Sequence, residues 1–513
     1  MKRLMLIGVL ALATSAAVST RAAEVALIPM PQEMSLAADG AEFTADANWQ
    51  PKVDTVEGIP AEGYELSVTP DGVLIRSSDA AGEFYARETL KQLARLVGKG
   101  KDAKTAYPCV EIKDSPAFGW RGVHIDECRH FFGKETVKHV LDLMAMHKMN
   151  VLHWHLTDDQ GWRLDIPGYP ALAEKASVRV ASPRHGTRPN CRMKESDIRP
   201  MRNGEKYGPY FYTEADVKEI VDYAAARHIR VVPEIELPGH VYAAISAYPS
   251  FACFPERLTG KGPLCAWGIE QDVLCVGNDA AIKFLEDVLD YVCRVFPCDT
   301  VHIGGDECPQ TRWKSCPKCQ ARIKAEDLKD ETELQPWITR HFIDFLAERG
   351  KRAIGWDEYL HGNVPPVAIG MNWRPAGGAR HKFLTPRECV ERGHDMVMTP
   401  RTFCYTDYGQ GLADDPFQYI GGCVTLEKVY SFDPCEGIPE DLQSHILGGQ
   451  CNNWSEYTWN VYDLDWKMWP RTCAMAEVLW TFKPRPGFAD FKRRMAVHRK
   501  RLIFNGVNCA PLE

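Results

Sequence analysis

The sequence lacks several features that would point to particular classes of protein. Among its 513 residues no run of lysines and arginines stands out, so a nucleic-acid partner is not expected. No GxGxxG or GxxxxGKS/T motif follows a predicted strand, which argues against nucleotide binding. Beyond the N-terminal segment, no apolar run reaches the roughly 18 residues that a membrane-spanning helix needs. The mature protein is therefore expected to be soluble, with no membrane span.

The first 23 residues have the pattern of an export signal. Lys2 and Arg3 give a basic start, an apolar stretch runs from Leu4 to about Val18, and small residues cluster over 16–23. The apolar stretch is short for a membrane span, and no stop-transfer segment follows it. We expect residues 1–23 to be a signal peptide and the mature protein to be periplasmic or extracellular.

Eighteen cysteines, all beyond the signal, are an even number that fits an oxidising compartment. One stretch, "CPQTRWKSCPKC", holds Cys308 and a CxxC formed by Cys316 and Cys319. A zinc site normally needs four ligands at recognisable spacing, and no second CxxC or HxxxH partner is evident. Structural disulfides or buried free thiols are therefore favoured over a metal, and no cofactor is expected.

The remaining chain divides into two regions of different texture. With 45% hydrophobic and 25% charged residues and a net charge of −8, the composition is that of an ordinary globular protein. The length exceeds that of one small domain. Residues 24–115 mix short alternating strands (64–78) with a helix-like stretch (80–97), which predicts a small α+β accessory domain without obvious chemistry.

From residue 116 to residue 513, apolar β-rich runs alternate with amphipathic helix patterns. Helices are predicted over 134–148, 213–228 and 278–296. Near-continuous apolar strands separated by helices indicate parallel pairing with both faces covered, and eight such units close into an α/β fold, the (β/α)8 TIM barrel. An open doubly wound sheet is the alternative. The eight predicted strands cover residues 121–127, 150–158, 229–236, 300–307, 352–359, 367–373, 395–400 and 445–454.

Polar and aromatic residues recur where these strands end, which is the catalytic edge of such a barrel. Aromatic walls beside carboxylates suit a sugar, because the C–H faces of a pyranose pack on rings while its hydroxyls need hydrogen-bond partners. Taken singly, an acid at a strand end is often a helix cap, and a tryptophan often belongs to the core. Together these residues favour a carbohydrate site. They are Asp126, His155, Asp158, Glu234, Glu236, Asp306, Glu307, Trp356, Asp357, Trp373, Trp454 and Glu456.

Two histidines leave a second interpretation open. His153 and His155 share one face of a strand and could be metal ligands, as in the HxH motif of metal-dependent barrel hydrolases. The only further histidines at strand ends are His240 and His302. The metal-dependent hydrolase is therefore the less favoured hypothesis.

Five motifs are identified as those of a known family, in the same order along the chain. They are "WRGVHIDECRHFF" (120–132), "MNVLHWHLTDDQGWRLDI" (149–166), "VVPEIELPGH" (231–240), "HIGGDE" (302–307) and "WSEY" (454–457). The chain resembles the family 20 glycoside hydrolases, the exo-acting β-N-acetylhexosaminidases, from the accessory domain to the last barrel helix. The resemblance implies a retaining exo-hydrolase that releases terminal β-linked N-acetylglucosamine or N-acetylgalactosamine from oligosaccharides or glycoconjugates. A non-catalytic sugar-binding protein is the alternative from another class, against which the intact Asp306–Glu307 pair argues.

The resemblance also implies substrate-assisted catalysis. The sugar's own 2-acetamido oxygen attacks the anomeric carbon and forms an oxazolinium intermediate. Glu307 is then the general acid and base, and Asp306 holds the acetamido N–H and stabilises its developing charge. This division of labour predicts a raised pKa for Glu307 and an ionised Asp306.

The same resemblance assigns nine residues to substrate binding. Arg129 would hold the 3- and 4-hydroxyls of the sugar, and Glu456 would accept from the 4- and 6-hydroxyls. Tyr405 would bond the acetamido oxygen, and Asp407 would lie near the 6-hydroxyl. The remaining five are Trp356, Trp373 and Trp454, which would enclose the ring and its acetamido group, and Asp158 and His240, which would position the acid pair.

Two departures from the family pattern affect these assignments. The third strand motif carries Glu236 where an aspartate is usual, so a role in orienting His240 would require its extra methylene to be absorbed locally. The loop over 409–433 contains no tryptophan, although some family members place one there. Phe417 or Tyr419 could substitute for it in the leaving-group subsite.

Overall fold

A computed structural model describes residues 25–46, 48–98, 103–182, 205–375 and 383–512. The predicted signal peptide lies outside the described residues. Within them, no helix combines the length and the apolar composition that crossing a membrane requires. A small α+β region is followed along the chain by a closed α/β barrel, as predicted.

The accessory region consists of two small sheets and one helix. Its strands are β1 (Glu33–Leu36), β2 (Glu42–Ala45), β3 (Lys52–Thr55), β4 (Tyr64–Thr69), β5 (Gly72–Ser77), β6 (Arg95–Val97), β7 (Lys104–Pro108) and β8 (Val110–Asp114). One sheet has the order β1-β8-β4-β5-β3, and the other has the order β2-β7-β6. Helix α1 (Ala80–Leu93) packs on β4 and β5, and the Asp79 side chain caps it by accepting from the Gly82 backbone N–H at 2.7 Å.

The helix predicted over 80–97 ends early, at Leu93. Ala94 is extended, with a ψ of 135°, and the next three residues form β6, which pairs antiparallel with β7. Strand pairing satisfies the backbone groups of these residues, whereas Leu96 is 75% exposed and covers no apolar surface. The prediction was wrong for this last turn because a side-chain pattern does not reveal a free strand edge nearby.

The second region is a closed barrel of eight parallel strands. In chain order the barrel strands are β9 (Trp120–Asp126), β10 (Val151–His155), β15 (Arg230–Glu234), β16 (Thr300–His302), β17 (Arg352–Trp356), β18 (Ile369–Asn372), β19 (Met396–Met398) and β20 (Ile446–Asn453). Between β10 and β15 lie two antiparallel pairs of two-residue strands, β11 (Thr157–Asp158) with β12 (Gly161–Trp162) and β13 (Arg179–Val180) with β14 (Lys206–Tyr207). Each predicted strand overlaps one barrel strand, and β9 begins at Trp120, one residue before its predicted start. Because β20 pairs with β9 and closes the ring, the alternative of an open sheet is wrong.

Helices follow the barrel strands, and the three predicted ones form where expected. In chain order they are α2 (Lys134–Met146), α3 (Glu214–Ala225), α4 (Tyr242–Ala247), α5 (Asp279–Val295), α6 (Thr311–Ser315), α7 (Pro317–Ala325), α8 (Leu334–Ala347), α9 (Pro386–Glu391), α10 (Arg401–Cys404), α11 (Leu426–Tyr430), α12 (Val461–Met468), α13 (Arg471–Trp480) and α14 (Phe488–Phe504). Thr213 and Asp216 form a capping box at the start of α3, and Asn278 caps α5. The helix starts are therefore set by local sequence.

Buried charges join the two regions. Lys148, just before β10, donates at 2.8 Å to the carboxylate of Asp114 at the end of β8, and both side chains are buried. The same ammonium group lies 4.4 Å from the ring centre of Trp480 on α13. Because Lys148 precedes its strand, the accessory region contacts the amino ends of the barrel strands and leaves the opposite edge open.

Candidate active site

A cavity of about 530 Å³ opens at the carboxyl ends of the barrel strands. Of the eleven residues that the resemblance assigned to catalysis and substrate binding, ten line it, and Asp158 lies behind the wall in contact with Arg129 and His240. The other acids and the histidine predicted at strand ends do not line it: Asp126, His155, Glu234, Glu236 and Asp357. Arg401 was missed, although it follows β19 and the strand-end rule could have found it. Tyr408 and residues 420–422 were missed too, because only Phe417 and Tyr419 were considered in this part of the chain. The lining residues are Arg129, His240, Asp306, Glu307, Trp356, Trp373, Arg401, Tyr405, Asp407, Tyr408, Ile420, Gly421, Gly422, Trp454 and Glu456.

The acid pair follows a sharp turn instead of continuing its strand. β16 ends at His302, and Gly304 and Gly305 then adopt φ values of 60° and 96°. Glu307 has a φ of 45°, a left-handed conformation that costs about 1 to 3 kcal/mol for a residue other than glycine. Because the backbone turns here, Asp306 and Glu307 both reach the cavity and do not point to opposite faces of a strand.

Both glycines of this turn are required by close neighbours. A Cβ atom at Gly304 would lie 1.9 Å from Oε2 of Glu236, and one at Gly305 would lie 2.7 Å from Cβ of Tyr359. Glycine also adopts positive φ without the steric cost that other residues carry. The "GG" of "HIGGDE" therefore sets the position of the acids that follow it.

His240 lies between the two acids. Its Nε2 atom is 3.7 Å from Oδ2 of Asp306 and 3.7 Å from Oε2 of Glu307. Its Nδ1 atom is 3.2 Å from Oδ1 of Asp158 and 3.3 Å from Oδ2 of Asp159. Although burial opposes protonation, the contacts with Asp158 and Asp159 raise the pKa of His240 well above its usual value. The raised pKa favours the protonated, cationic form of His240 between the two acids.

The protonation order of the free site is the reverse of the predicted one. Burial raises the pKa of Asp306 to about 7, with His240 opposing the shift and the charges of Glu307 and Glu234 adding to it. Contact with His240 lowers the pKa of Glu307. The side chain of Asp306 is 15% exposed and that of Glu307 is 37% exposed, at the cavity mouth. In the free protein, burial of Asp306 and contact of Glu307 with His240 thus favour protonation of Asp306 over that of Glu307.

Arg129 is fixed by three polar neighbours. Its Nη1 atom is 3.2 Å from Oδ2 of Asp126, its Nη2 atom is 2.7 Å from Oδ2 of Asp158, and its Nε donates to Oε1 of Gln160 at 3.0 Å. Its guanidinium carbon lies 5.0 Å from the ring centre of Trp454. Although burial opposes charge, Asp158 and Asp126 raise the pKa of Arg129 well above its usual value. The cavity wall therefore carries a permanent, pre-positioned cation.

The three predicted tryptophans form the apolar part of the wall. The Nε1 of Trp356 donates to Oε1 of Glu234 at 2.7 Å, and the Nε1 of Trp373 donates to Oε2 of Glu358 at 2.9 Å. The ring centres of Trp356 and Trp454 are 5.6 Å apart, with the planes inclined at 44°. Carboxylates thus hold two of the indoles in place by their N–H groups, which keeps the wall rigid.

Two buried carboxylates line the cavity with acceptor atoms unpaired. Both oxygens of Asp407 and Oε2 of Glu456 make no hydrogen bond to the part of the chain that the structure describes. Burial raises the pKa of both groups, and for Asp407 the nearby charge of Glu456 adds to the rise. Buried polar atoms in folded proteins are nearly always paired. This wall is therefore suited to a ligand that brings its own hydroxyl groups.

The histidines of the metal hypothesis lie beneath the cavity. His153 Nε2 is 2.9 Å from Oε2 of Glu234, and His302 Nδ1 is 3.0 Å from its Oε1. Among the described residues that line the cavity, His153, His155 and His302 are absent. Glu234 also holds Trp356, so this group supports the cavity floor and is not placed to touch a substrate.

Glu236 does not have the role that the family pattern suggested. Its Oε1 atom lies 3.6 Å from Nε2 of His155, and its Oε2 atom faces Gly304. His240 is oriented by the two aspartates described above, and within the described chain no ion pair joins it to Glu236. Burial, with the neighbouring Asp306, raises the pKa of Glu236 well above its usual value. The missing Cβ of Gly304 leaves space for the longer side chain.

The loop over 409–433 contributes different residues from those expected. The ring centre of Phe417 lies 5.4 Å from that of Trp466, and the Tyr419 hydroxyl donates to Asp415 at 2.5 Å. Neither Phe417 nor Tyr419 lines this cavity or the adjoining one that shares Glu307, so the structure does not place either ring as a substitute for the tryptophan. The loop instead presents residues 420–422.

A second cavity of about 530 Å³ adjoins the first and shares Glu307 and Trp373 with it. A ligand bond that crosses from one cavity to the other would therefore pass Glu307. Other residues that line the second cavity include Ile269, Gln271, Gln310, His361 and Phe383.

A (β/α)8 barrel with an acid pair and tryptophan walls at the carboxyl ends of its strands defines a hydrolase of the glycosidase class. The family model "Glycosyl hydrolase family 20, catalytic domain" matches residues 118–483, and "Glycosyl hydrolase family 20, domain 2" matches residues 31–115. The chain belongs to glycosyl hydrolase family 20.

Individual relatives agree with the family models. A β-hexosaminidase of Porphyromonas gingivalis is 41% identical over 461 residues, which cover 89% of this chain but only 55% of that protein. A β-hexosaminidase of Akkermansia muciniphila is 33% identical over 483 residues, covering 94% and 91%. The exo-β-N-acetylglucosaminidase of Vibrio harveyi, solved with N-acetylglucosamine, is 27% identical with a TM-score of 0.82, covering 95% and 78%. The chain is therefore an enzyme of the β-N-acetylhexosaminidase class.

Proposed function

We propose that the protein is a retaining exo-hydrolase that releases terminal β-linked N-acetylglucosamine or N-acetylgalactosamine from oligosaccharides or glycoconjugates. One observation carries the proposal: Asp306 and Glu307 share a cavity with the unpaired buried oxygens of Asp407 and Glu456. The acid pair supplies the chemistry of bond cleavage, and the unpaired oxygens accept hydrogen bonds from sugar hydroxyls.

In the first step, the acetamido oxygen of the substrate attacks the anomeric carbon as the glycosidic bond breaks. The bonding electrons leave with the aglycone oxygen, which takes a proton from Glu307. Asp306 accepts a hydrogen bond from the acetamido N–H and stabilises the positive charge of the oxazolinium ion. Tyr405, buried in the cavity wall, donates to the acetamido oxygen and aligns it for attack.

Substrate binding has to reverse the protonation order of the free site. An acetamido N–H donated to Asp306 favours its ionised form and lowers its pKa. An aglycone lying over the half-exposed Glu307 removes water from it and raises its pKa. His240, 3.7 Å from both acids, lies where a proton can pass between them. The general acid is thus loaded only when a sugar carrying an acetamido group is bound.

In the second step, water adds to the anomeric carbon and its proton passes to Glu307, now a base. The bond between the anomeric carbon and the acetamido oxygen breaks, and the acetamido group is restored. Two inversions at one carbon give net retention of configuration.

Sugar recognition falls to the remaining lining residues. Arg129 donates to the 3- and 4-hydroxyls, Glu456 accepts from the 4- and 6-hydroxyls, and Asp407 lies near the 6-hydroxyl. The tryptophans Trp356, Trp373 and Trp454 pack on the ring and its acetamido group. Asp158 acts indirectly, because it holds both Arg129 and His240.

The proposal is tested by a panel of nitrophenyl β-glycosides with and without the 2-acetamido group. We expect cleavage to be confined to the acetamido sugars, with a Glu307→Gln variant as the control for contaminating activity. Comparable turnover of nitrophenyl β-glucoside and its 2-acetamido counterpart would contradict substrate assistance.

Export is a second proposal, supported by the basic start and apolar stretch of residues 1–23. We expect the protein recovered outside the cytoplasm to have lost this segment, as measured by intact mass. Full-length protein confined to the cytoplasm would contradict it.

A further inference from the structure

Four cysteines come together beside the loop that follows the acid pair. The isolated bridge between Ala252 and Leu274 sets Cys253 beside Cys275, and both follow β15 in the chain. Cys316 and Cys319 come from the "CPKC" at the start of α7. Three of the four residues are buried and Cys253 is half-buried.

The four sulfur atoms lie close enough together to bind one ion. The Sγ atoms of Cys253 and Cys319 are 3.8 Å apart, those of Cys275 and Cys316 are 3.6 Å apart, and those of Cys275 and Cys319 are 3.7 Å apart. All four atoms lie within 4.8 Å of one another. A tetrahedral zinc ion with bonds of about 2.3 Å would hold its sulfur ligands about 3.8 Å apart.

The backbone around the cluster is built closely on the sulfur atoms. A Cβ atom at Gly277 would lie 2.2 Å from the carbonyl carbon of Lys318 and 2.4 Å from the backbone nitrogen of Cys319, so only glycine fits. The segments that carry Cys275 and Cys319 therefore pack directly against each other.

Two disulfides or plain core packing explain this arrangement less well. A disulfide joins two sulfurs at about 2.05 Å and leaves each without a third partner, whereas Cys275 contacts the sulfurs of both Cys316 and Cys319. Free thiols often serve as small core residues. Core packing alone does not require four sulfur atoms to lie within reach of a single ion.

We propose that Cys253, Cys275, Cys316 and Cys319 bind a structural zinc ion as four thiolate ligands. Four sulfur ligands leave no open coordination position, so the ion is structural and takes no part in catalysis. The sequence alone favours disulfides or thiols, because Cys253 and Cys275 are single cysteines that form no second CxxC.

The ion would clamp together the two loops that carry the acid-site residues. One loop runs from His240 after β15 to Cys275, and the other runs from Glu307 after β16 to Cys316. The loops already touch at their start, where a Cβ at Gly239 would lie 3.2 Å from Cα of Cys308. Zinc would join the two loops at a second place. Along the chain, helix α6 separates this place from Glu307.

The test is the metal content of the full-length protein, purified without chelator or reductant and desalted before elemental analysis. We expect about one zinc per chain, with Cys275→Ser and Cys253→Ser losing most of it. Cys389→Ser, a buried cysteine on α9 outside the cluster, is the matched control and should keep the metal. Because the unmodified chain is measured first, a variant that fails to fold does not decide the outcome.

Thiol counting on the denatured protein gives a second readout that needs no activity. We expect four additional thiols to become reactive when a chelator removes the zinc, and the melting temperature of the folded protein to fall on the same treatment. Three outcomes would each overturn the proposal. They are a metal-free protein with two disulfides in its peptide map, a metal-free protein with four free thiols, and a protein with stoichiometric iron and visible charge-transfer absorption. None of these outcomes depends on the proposed catalytic function.

Discussion

Replacing Gly304 with alanine tests the turn that brings both acids into one cavity. An alanine held at the φ of 60° found here costs about 1 to 2 kcal/mol. Its Cβ would lie 1.9 Å from Oε2 of buried Glu236, and relieving that overlap adds about 1 to 3 kcal/mol. We therefore expect the free energy of unfolding to fall by about 2 to 5 kcal/mol in total.

Gly350 provides a matched control for the conformational part of this cost. It has a φ of 70°, and a Cβ there would meet no atom within 4 Å, so Gly350→Ala should lose only about 1 to 2 kcal/mol. Denaturant unfolding of both variants measures the difference. Activity gives the second readout, because a displacement of about 1 Å of Asp306 should lower kcat/KM on the order of 100-fold in Gly304→Ala alone.

A role for Glu236 in constraining the turn is refuted if the two glycine variants lose the same free energy of unfolding. It is also refuted if Gly304→Ala keeps the kcat/KM of the unmodified protein while being destabilised. In either case Glu236 would not constrain the turn, and another feature would have to place the acids.

Three further substitutions test single roles in the site. Glu307→Gln should lower turnover of a disaccharide by about 100- to 10,000-fold and of a nitrophenyl glycoside by much less; equal losses on both would count against the acid role. His240→Asn removes a cation that lowers the pKa of both Asp306 and Glu307, so the pH profile of kcat/KM should move to higher pH, and an unmoved profile would contradict this. Asp407→Asn should raise KM more than it lowers kcat, whereas an unchanged KM would exclude contact with the sugar.

The barrel was predictable because its signal is repeated. Eight apolar runs separated by helix patterns indicate parallel strands buried on both faces, and each run overlaps one strand of the barrel. The end of α1 was not predictable, since the pairing of β6 with β7 depends on a strand edge that the local pattern does not contain.

The lining of the cavity followed from the same strand-end rule and from the family motifs. The sequence could not predict how deeply each of the two acids is buried. Asp306 and Glu307 are neighbours in the chain with similar intrinsic pKa values, and only the folded protein buries one and exposes the other beside a shared His240. The orientation of His240 by Asp158 and Asp159 likewise depends on a hairpin loop that packs across the site.

The four-cysteine cluster could not be predicted either, because its residues are far apart in the sequence. Its cysteines lie between residues 253 and 319 of the chain. The bridge between Ala252 and Leu274 sets two of them side by side, and the spacing of the cysteines does not predict that bridge. Only the CPKC half of the cluster is visible in the sequence.

The central claim is that Asp306 holds the acetamido group of an oxazolinium intermediate, and a thiazoline mimic of that ion tests it most directly. Loss of one charge-assisted hydrogen bond is worth about 1.5 to 3 kcal/mol, or about 10- to 100-fold in affinity. We predict that Asp306→Asn weakens thiazoline binding by that factor, while Glu307→Gln binds it nearly as well as the unmodified protein. Unchanged affinity in Asp306→Asn would contradict substrate-assisted catalysis through this residue.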